Sequence, residues 1–170
     1  MRTLIPLLSI TLLLCSAAEA NEAGQQWLAP FKSDLKQALM AGLAQGPEHA
    51  LSVCRSQAPE LARRYSVDGV RMGRSSDKLR NPQNAPPEWV IPVMQQYRSG
   101  DLAPVTVALN PERMGYVEPI MIAPPCLQCH GTHLSPSIEQ ALAEHYPEDQ
   151  ATGYQPGQWR GVFWLEYPTE

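Results

Sequence analysis

The chain has 170 residues, 44% of them hydrophobic, and 13 basic against 17 acidic side chains give a net charge of −4 at pH 7. A mildly acidic chain offers no electrostatic footprint for nucleic acid or for an anionic membrane surface. With roughly 100 to 200 residues to a domain, this length predicts one domain with a real core and excludes a multidomain assembly.

The first twenty residues, "MRTLIPLLSITLLLCSAAEA", place Arg2 before an apolar run and close on the small-x-small ending Ala18-Glu19-Ala20. That is the pattern of a cleavable secretory leader, so residues 1–20 are expected to be removed and residues 21–170 to form the single mature domain, beginning near Asn21. Cys15 lies within the apolar run behind Leu14, where a lipid anchor wants a small residue, and is expected to leave with the leader. No later stretch reaches the ~18 apolar residues that span a bilayer, so the mature chain is expected to be soluble and periplasmic. Three cysteines then remain: Cys54, Cys126 and Cys129. Disulfides persist in such a compartment and a free thiol there is a liability, so the odd count needs a reason.

Residues 22–44 read as a first helix, with Trp27, Phe31, Leu35, Leu39 and Leu43 recurring every fourth position. Gly46-Pro47 closes it and opens a second, Pro47 to Tyr65, whose face of Ala50, Leu51, Cys54, Ala58, Leu61, Ala62 and Tyr65 turns Cys54 inward. "VRMGRSS" reads as a strand, and the Pro- and Asn-rich "DKLRNPQNAPPEW" as an irregular loop. A third helix is expected from Pro87 to Arg98, limited or kinked by Pro92. "APVTVAL" and "RMGYVEPIMIA" predict two strands joined at Asn110-Pro111. Ser135-Pro136 makes an N-cap and first turn for a helix to about His145, and the tail ends as a strand from Trp159 to Tyr167. Gly153, Gly157 and Gly161 are read as turn or bulge positions, with Tyr154 and Trp159 packing beside them. Helices first and strands later predict an α+β fold with an antiparallel sheet, and 17 prolines argue against a plain helix bundle.

The stretch "APPCLQCHGTHLSP" carries the chemistry. A thioredoxin-like pair needs no histidine after its second cysteine and usually sits in a βαβ setting that is missing here. A structural zinc site typically takes two such pairs, and this chain has one. Haem c attachment uses every residue: the thiols of Cys126 and Cys129 add to the two vinyl groups as thioethers, and His130 takes one axial position on the iron. A zinc or disulfide site is the remaining alternative.

The opposite axial position is less direct. The last methionine, Met121, precedes the attachment site, which excludes a downstream methionine. His133 follows His130 too closely, His145 suits a helix C-terminus and His49 lies one turn off the inward face. Met72, Met114 and Met121 read as core or strand residues. Cys54 stays open between a buried structural thiol and an iron ligand whose thiolate the metal's charge favours.

Three separated stretches, "CRSQAPELARRYSVDGVRMGRSSDKLRNPQNAPPEW", "EPIMIAPPCLQCHG" and "YPEDQATGYQPGQWRG", resemble in the same order a family of exported haem-c-binding domains with a PAS-like fold, first described in a cyanobacterial protein and also found as sensory modules. The resemblance runs from about Cys54 to Tyr167. It implies a helix-flanked antiparallel sheet, one covalent haem c, and axial ligation by His130 and Cys54. The family pattern has an acidic residue after the tryptophan of the Asn-rich loop; this chain has Val90 there and Glu88 before Trp89, so any role tied to that carboxylate is in doubt. Haem propionates are commonly met by guanidinium or amide donors, and Arg74, Arg80, Asn81 and Asn84 are the candidates, with turn formation the alternative for the asparagines.

The expected function is a periplasmic redox or diatomic-gas sensor, with carbon monoxide or nitric oxide as candidate ligands and an unidentified periplasmic partner. Thiolate stabilises ferric iron, and a labile ligand on a helix can act as a switch. The alternative is a periplasmic electron-transfer cytochrome without ligand switching. Peroxidase or nitrite chemistry lacks a distal acid/base histidine if Cys54 fills the sixth site, so the chain is expected not to be an enzyme.

Overall fold

The computed structural model describes residues 10–169, with side chains from Asn21 onward. Helices α1 (Ile10–Leu43) and α2 (Pro47–Tyr65) are followed by β1 (Arg71–Ser75), α3 (Ile91–Arg98), β2 (Val105–Asn110), β3 (Arg113–Met121), α4 (Leu127–His130), α5 (Pro136–His145) and β4 (Trp159–Pro168). The expected cleavage point at Asn21 falls inside α1, which runs continuously through it. Residues 1–9 of the expected leader lie outside the described residues, as does the side chain of Cys15. No helix among the described residues is long and apolar enough to cross a membrane.

The third helix is shorter than its sequence suggests. A 3₁₀ turn occupies Glu88–Val90, and α3 begins at Ile91 with Pro92 in its first turn. Proline's missing N–H costs nothing there, so Pro92 marks the start and does not kink the interior. Elsewhere the turn chemistry is as expected. Asn110 Oδ1 accepts the Glu112 N–H at 2.9 Å between β2 and β3, and Ser135 caps α5 by accepting from Ile138 N at 3.3 Å.

The strands form one antiparallel sheet in the order β1-β4-β3-β2. Because successive side chains point to opposite faces, β3 and β4 each supply two cores. Met72, Tyr116, Leu165 and Tyr167 pack under α1 and α2 against Leu28, Phe31, Leu35, Ala58 and Leu61. Val117 and Val162 pack on the other face against Val90, Val93, Met94 and Tyr97 of the α3 region, where Tyr97 Oη donates to Val117 O at 3.0 Å.

That second face explains the Asn-rich loop. Trp89 lies over Gly115, where an added Cβ would come within 2.7 Å of the indole, and its Nε1 donates to Glu166 Oε1 at 2.8 Å. Arg71 and Arg113 pair with the same carboxylate. Val90 is fully buried beside it. In this chain that position is therefore a packing position, and a carboxylate there would be desolvated.

Gly161 stands within β4 and not in a turn, opposite the irregularity between Ile120 and Met121. A Cβ on it would meet the Ser75 carbonyl at 2.2 Å. The missing side chain is what lets β1 approach β4 at their junction. Gly161→Ala is expected to destabilise the protein by about 1–3 kcal/mol, seen as a lower urea midpoint. Gly157 does occupy a turn, with φ of 76°, and Gly153 has a φ of 80° in an irregular segment.

Candidate cofactor site

Helix α2 touches α1, β1, α4 and α5, so it joins the sheet to the cysteine pair. After β3, Ala123 is extended and Pro124-Pro125 open a 3₁₀ turn through Cys126 that continues directly into α4. Prolines suit a first turn, and this one delivers Cys126, Cys129 and His130 on one short helical rod.

A helix of four residues satisfies few of its own carbonyls; Gly131 N donates to Leu127 O at 3.0 Å, and other carbonyls of this segment are met from outside. Tyr154 N donates to His130 O and Gly153 N to Gly131 O, each at 2.9 Å. Arg80 Nη2 donates to Cys129 O at 2.5 Å. The same segment holds the histidine ring: His130 Nδ1 lies 2.6 Å from Ala151 O. A carbonyl can only accept, so Nδ1 carries the proton and Nε2 keeps its lone pair as a ligand. Burial, with help from Arg80, Arg160 and Arg74, pushes the imidazole pKa down to about 3. His130 is neutral at physiological pH, the form that binds a metal. Tyr154 stands edge-on to it at 6.4 Å between centroids.

Cys129 packs against Leu51, Ile138 and Leu142, its Sγ 4.0 Å from Pro47 O, and burial raises its thiol pKa. Cys54 is half-buried on α2, within electrostatic range of Cys129, Arg74 and Tyr146. The fold thus brings Cys54 to the attachment segment from more than seventy residues away in the chain. No disulfide joins any of the three described cysteines. Among the described residues no three His, Cys, Asp or Glu side chains converge as ligands of a bare ion must, which leaves a zinc site without its donor set.

Arg74 shares the α2-facing side of β1 with Met72. Its guanidinium has no hydrogen-bond or ion-pair partner among the described residues, and burial lowers its pKa. A partly buried, unpaired guanidinium beside Cys54 suits an anionic group that the chain itself does not supply. Arg80 is placed differently. It is buried in a two-point ion pair with Asp149, Nε to Oδ1 at 3.2 Å and Nη2 to Oδ2 at 3.0 Å, so those two nitrogens are engaged by the protein. Asn81 caps its own turn through Gln83 N at 3.0 Å, and Asn84 donates its N–H back to Asn81 O. Arg80 and Asn81 also line a cavity of about 220 Å³ with Arg55, Gln83, His145 and Tyr146. Arg160, which sequence reasoning did not single out, stands over the Tyr154 ring at 5.5 Å.

The other candidate ligands lie elsewhere. His49 and His133 are exposed, His145 Nδ1 is 3.1 Å from Arg55, Met72 is in the core, Met114 packs against that core, and Met121 is exposed. Trp159 packs edge-on to Tyr97 on the α3 side, so only Tyr154 of that pair closes the site.

An antiparallel β1-β4-β3-β2 sheet with helices on its faces, and a single Cys-x-x-Cys-His rod packed against α2, defines a PAS-like α+β domain. Residues 16–168 match the Tll0287-like family, and the chain belongs to it. It is similar to the crystal structure of the cyanobacterial heme-protein Tll0287, with a TM-score of 0.63 at 20% identity, covering 84% of this chain and 93% of that one. At that identity the likeness establishes the fold. No curated protein matches the chain.

Proposed function

We propose that this chain is an exported, periplasmic single-haem c protein that senses redox state or a diatomic gas, with Cys126 and Cys129 as the covalent attachment points and His130 and Cys54 as axial ligands. The observation that carries the reading is the state of His130: Nδ1–H is committed to Ala151 O, so Nε2 is free as a base, on the same part-buried rod as Cys129, which lies within electrostatic range of Cys54. Membership of a family whose similar solved structure is described as a heme-protein supports the cofactor. When bound, haem c supplies one-electron chemistry and an iron centre whose ferric form a thiolate favours.

The chain's own residues supply the rest. The 149–154 segment orients the imidazole, and Leu51, Ile138 and Leu142 keep water from Cys129. Arg74 offers a guanidinium to a propionate. Arg80 and the asparagines act on the pocket through the protein, as a clamp and as turn formers. Cys54 rides on α2, which also packs on β1 and α5. Gain or loss of its bond is therefore felt by the sheet and by the attachment region together, which is what a switch requires.

The test is the ferric visible and near-infrared spectrum of the haem-loaded protein beside that of Cys54→Ser. A thiolate charge-transfer band present in the parent and absent from the variant is the expected result. Carbon monoxide added to the reduced parent is expected to shift its spectrum. Identical ferric spectra would return Cys54 to a structural role, and indifference to carbon monoxide would favour an electron carrier.

A further inference from the structure

One side chain reaches both the attachment rod and the segment that orients His130. Arg80 Nη2 donates to Cys129 O at 2.5 Å and to Ala151 O at 3.4 Å. Ala151 O is the same atom that receives Nδ1–H of His130. Asp149, which grips the guanidinium at two points, also accepts Ala151 N–H through Oδ1 at 2.8 Å. The Arg80–Asp149 pair therefore holds both backbone polar groups of Ala151, a residue with no solvent exposure.

We propose that Arg80 is a positioning residue for His130: its planar fork, locked by Asp149, fixes the carbonyls of Cys129 and Ala151 and so sets the direction and strength of the His130 Nδ1–H bond. The proposal rests on the haem reading, in which Nε2 of His130 is the axial donor. The partner of the non-ligating nitrogen governs how strongly a histidine donates to its metal. A short, well-aimed Nδ1–H bond increases that donation and favours the ferric state. Arg80 and Asp149 are both about nine-tenths buried, so water cannot readily replace either one.

The fork matters more than the charge. Arg80 addresses Asp149, Cys129 O and Ala151 O from one plane, whereas a lysine ammonium is a single point that cannot reach all of them. Arg80→Lys keeps the positive charge beside Asp149 and loosens the carbonyls. That separates positioning from field.

The experiment uses the haem-loaded protein and compares parent, Arg80→Lys and Arg98→Lys. Arg98 pairs with Asp77 at 2.8 Å but is largely exposed, so it serves as a matched control. Midpoint potentials are taken by spectroelectrochemical titration and ferric g-values by electron paramagnetic resonance, both read on the haem-bearing fraction. The expected result is a raised midpoint potential and altered g-values in Arg80→Lys, with Arg98→Lys matching the parent. A lower melting temperature in Arg80→Lys with unchanged potential and g-values would overturn the proposal by making Arg80 merely structural. An equal shift in Arg98→Lys would overturn it by showing that the effect is not specific to the Arg80 contacts. Absence of covalent haem from the parent would instead defeat the reading on which the proposal rests.

Discussion

Replacing Cys126 and Cys129 together by alanine is expected to abolish covalent haem. The denatured polypeptide of the parent should keep its pigment on a gel, and that of the double variant should show none. The expectation follows from bond type. Axial ligation and packing are reversible and do not survive unfolding, whereas two thioether bonds do. Each single alanine variant leaves one thioether and should keep some pigment, while His130→Ala should keep the pigment and change its spectrum. The consequences should extend to stability, because a group bound only by the native state adds to the free energy of folding. Parent protein matured in an export host without pigment, or a double variant that retains it, would overturn the attachment assignment.

Arg80→Ala is expected to destabilise the protein by about 3–5 kcal/mol, the cost of leaving one member of a buried ion pair without its partner. For a domain of this size that corresponds to a fall in melting temperature of roughly 10 °C. The large figure comes from what is left behind: Asp149 is buried beside the attachment rod, and Cys129 O loses its 2.5 Å donor. Adding Asp149→Ala should recover part of the loss, since the stranded charge disappears with it. An equally large loss at the exposed Arg98–Asp77 pair is not expected, because such surface pairs are worth about 0–1 kcal/mol. Thermal unfolding of the three variants checks the ordering, and a cost for Arg80→Ala no greater than that for Arg98→Ala would show the buried pair to be dispensable.

The sensor and carrier readings diverge at Cys54. A carrier gains from rigidity, whereas a sensor needs one ligand whose loss moves something. The architecture suits the second, because α2 touches the sheet and the attachment region at once. His130, in contrast, is held through its ring, its carbonyl and the carbonyls on either side of it. One proposed ligand stands on a braced rod and the other on a helix with several neighbours.

Much of this was legible in the residues alone. The Pro47–Tyr65 and Pro136–His145 helices stand where periodicity and capping put them, since those signals act within a few residues. The Cys126-x-x-Cys129-His130 motif needs only local spacing, so the attachment proposal could be made without a fold. Cys54 could be turned inward by its position on α2, because a helical face is a local property. What that face meets is not.

The tertiary structure decided what depends on partners distant in sequence. Arg80 became a candidate through its neighbours in the chain, whereas its partners within the protein, Asp149, Cys129 and Ala151, lie 49 to 71 positions away. Gly161 could be recognised as a special backbone position, yet only the approach of Ser75 shows that its lack of a side chain closes the sheet. The 149–154 segment carried no periodic signal because much of its work is done by backbone groups, which every residue possesses. Alternation and helical period state which side of an element is buried. They do not state against what, and the orientation of His130 is set by that missing half.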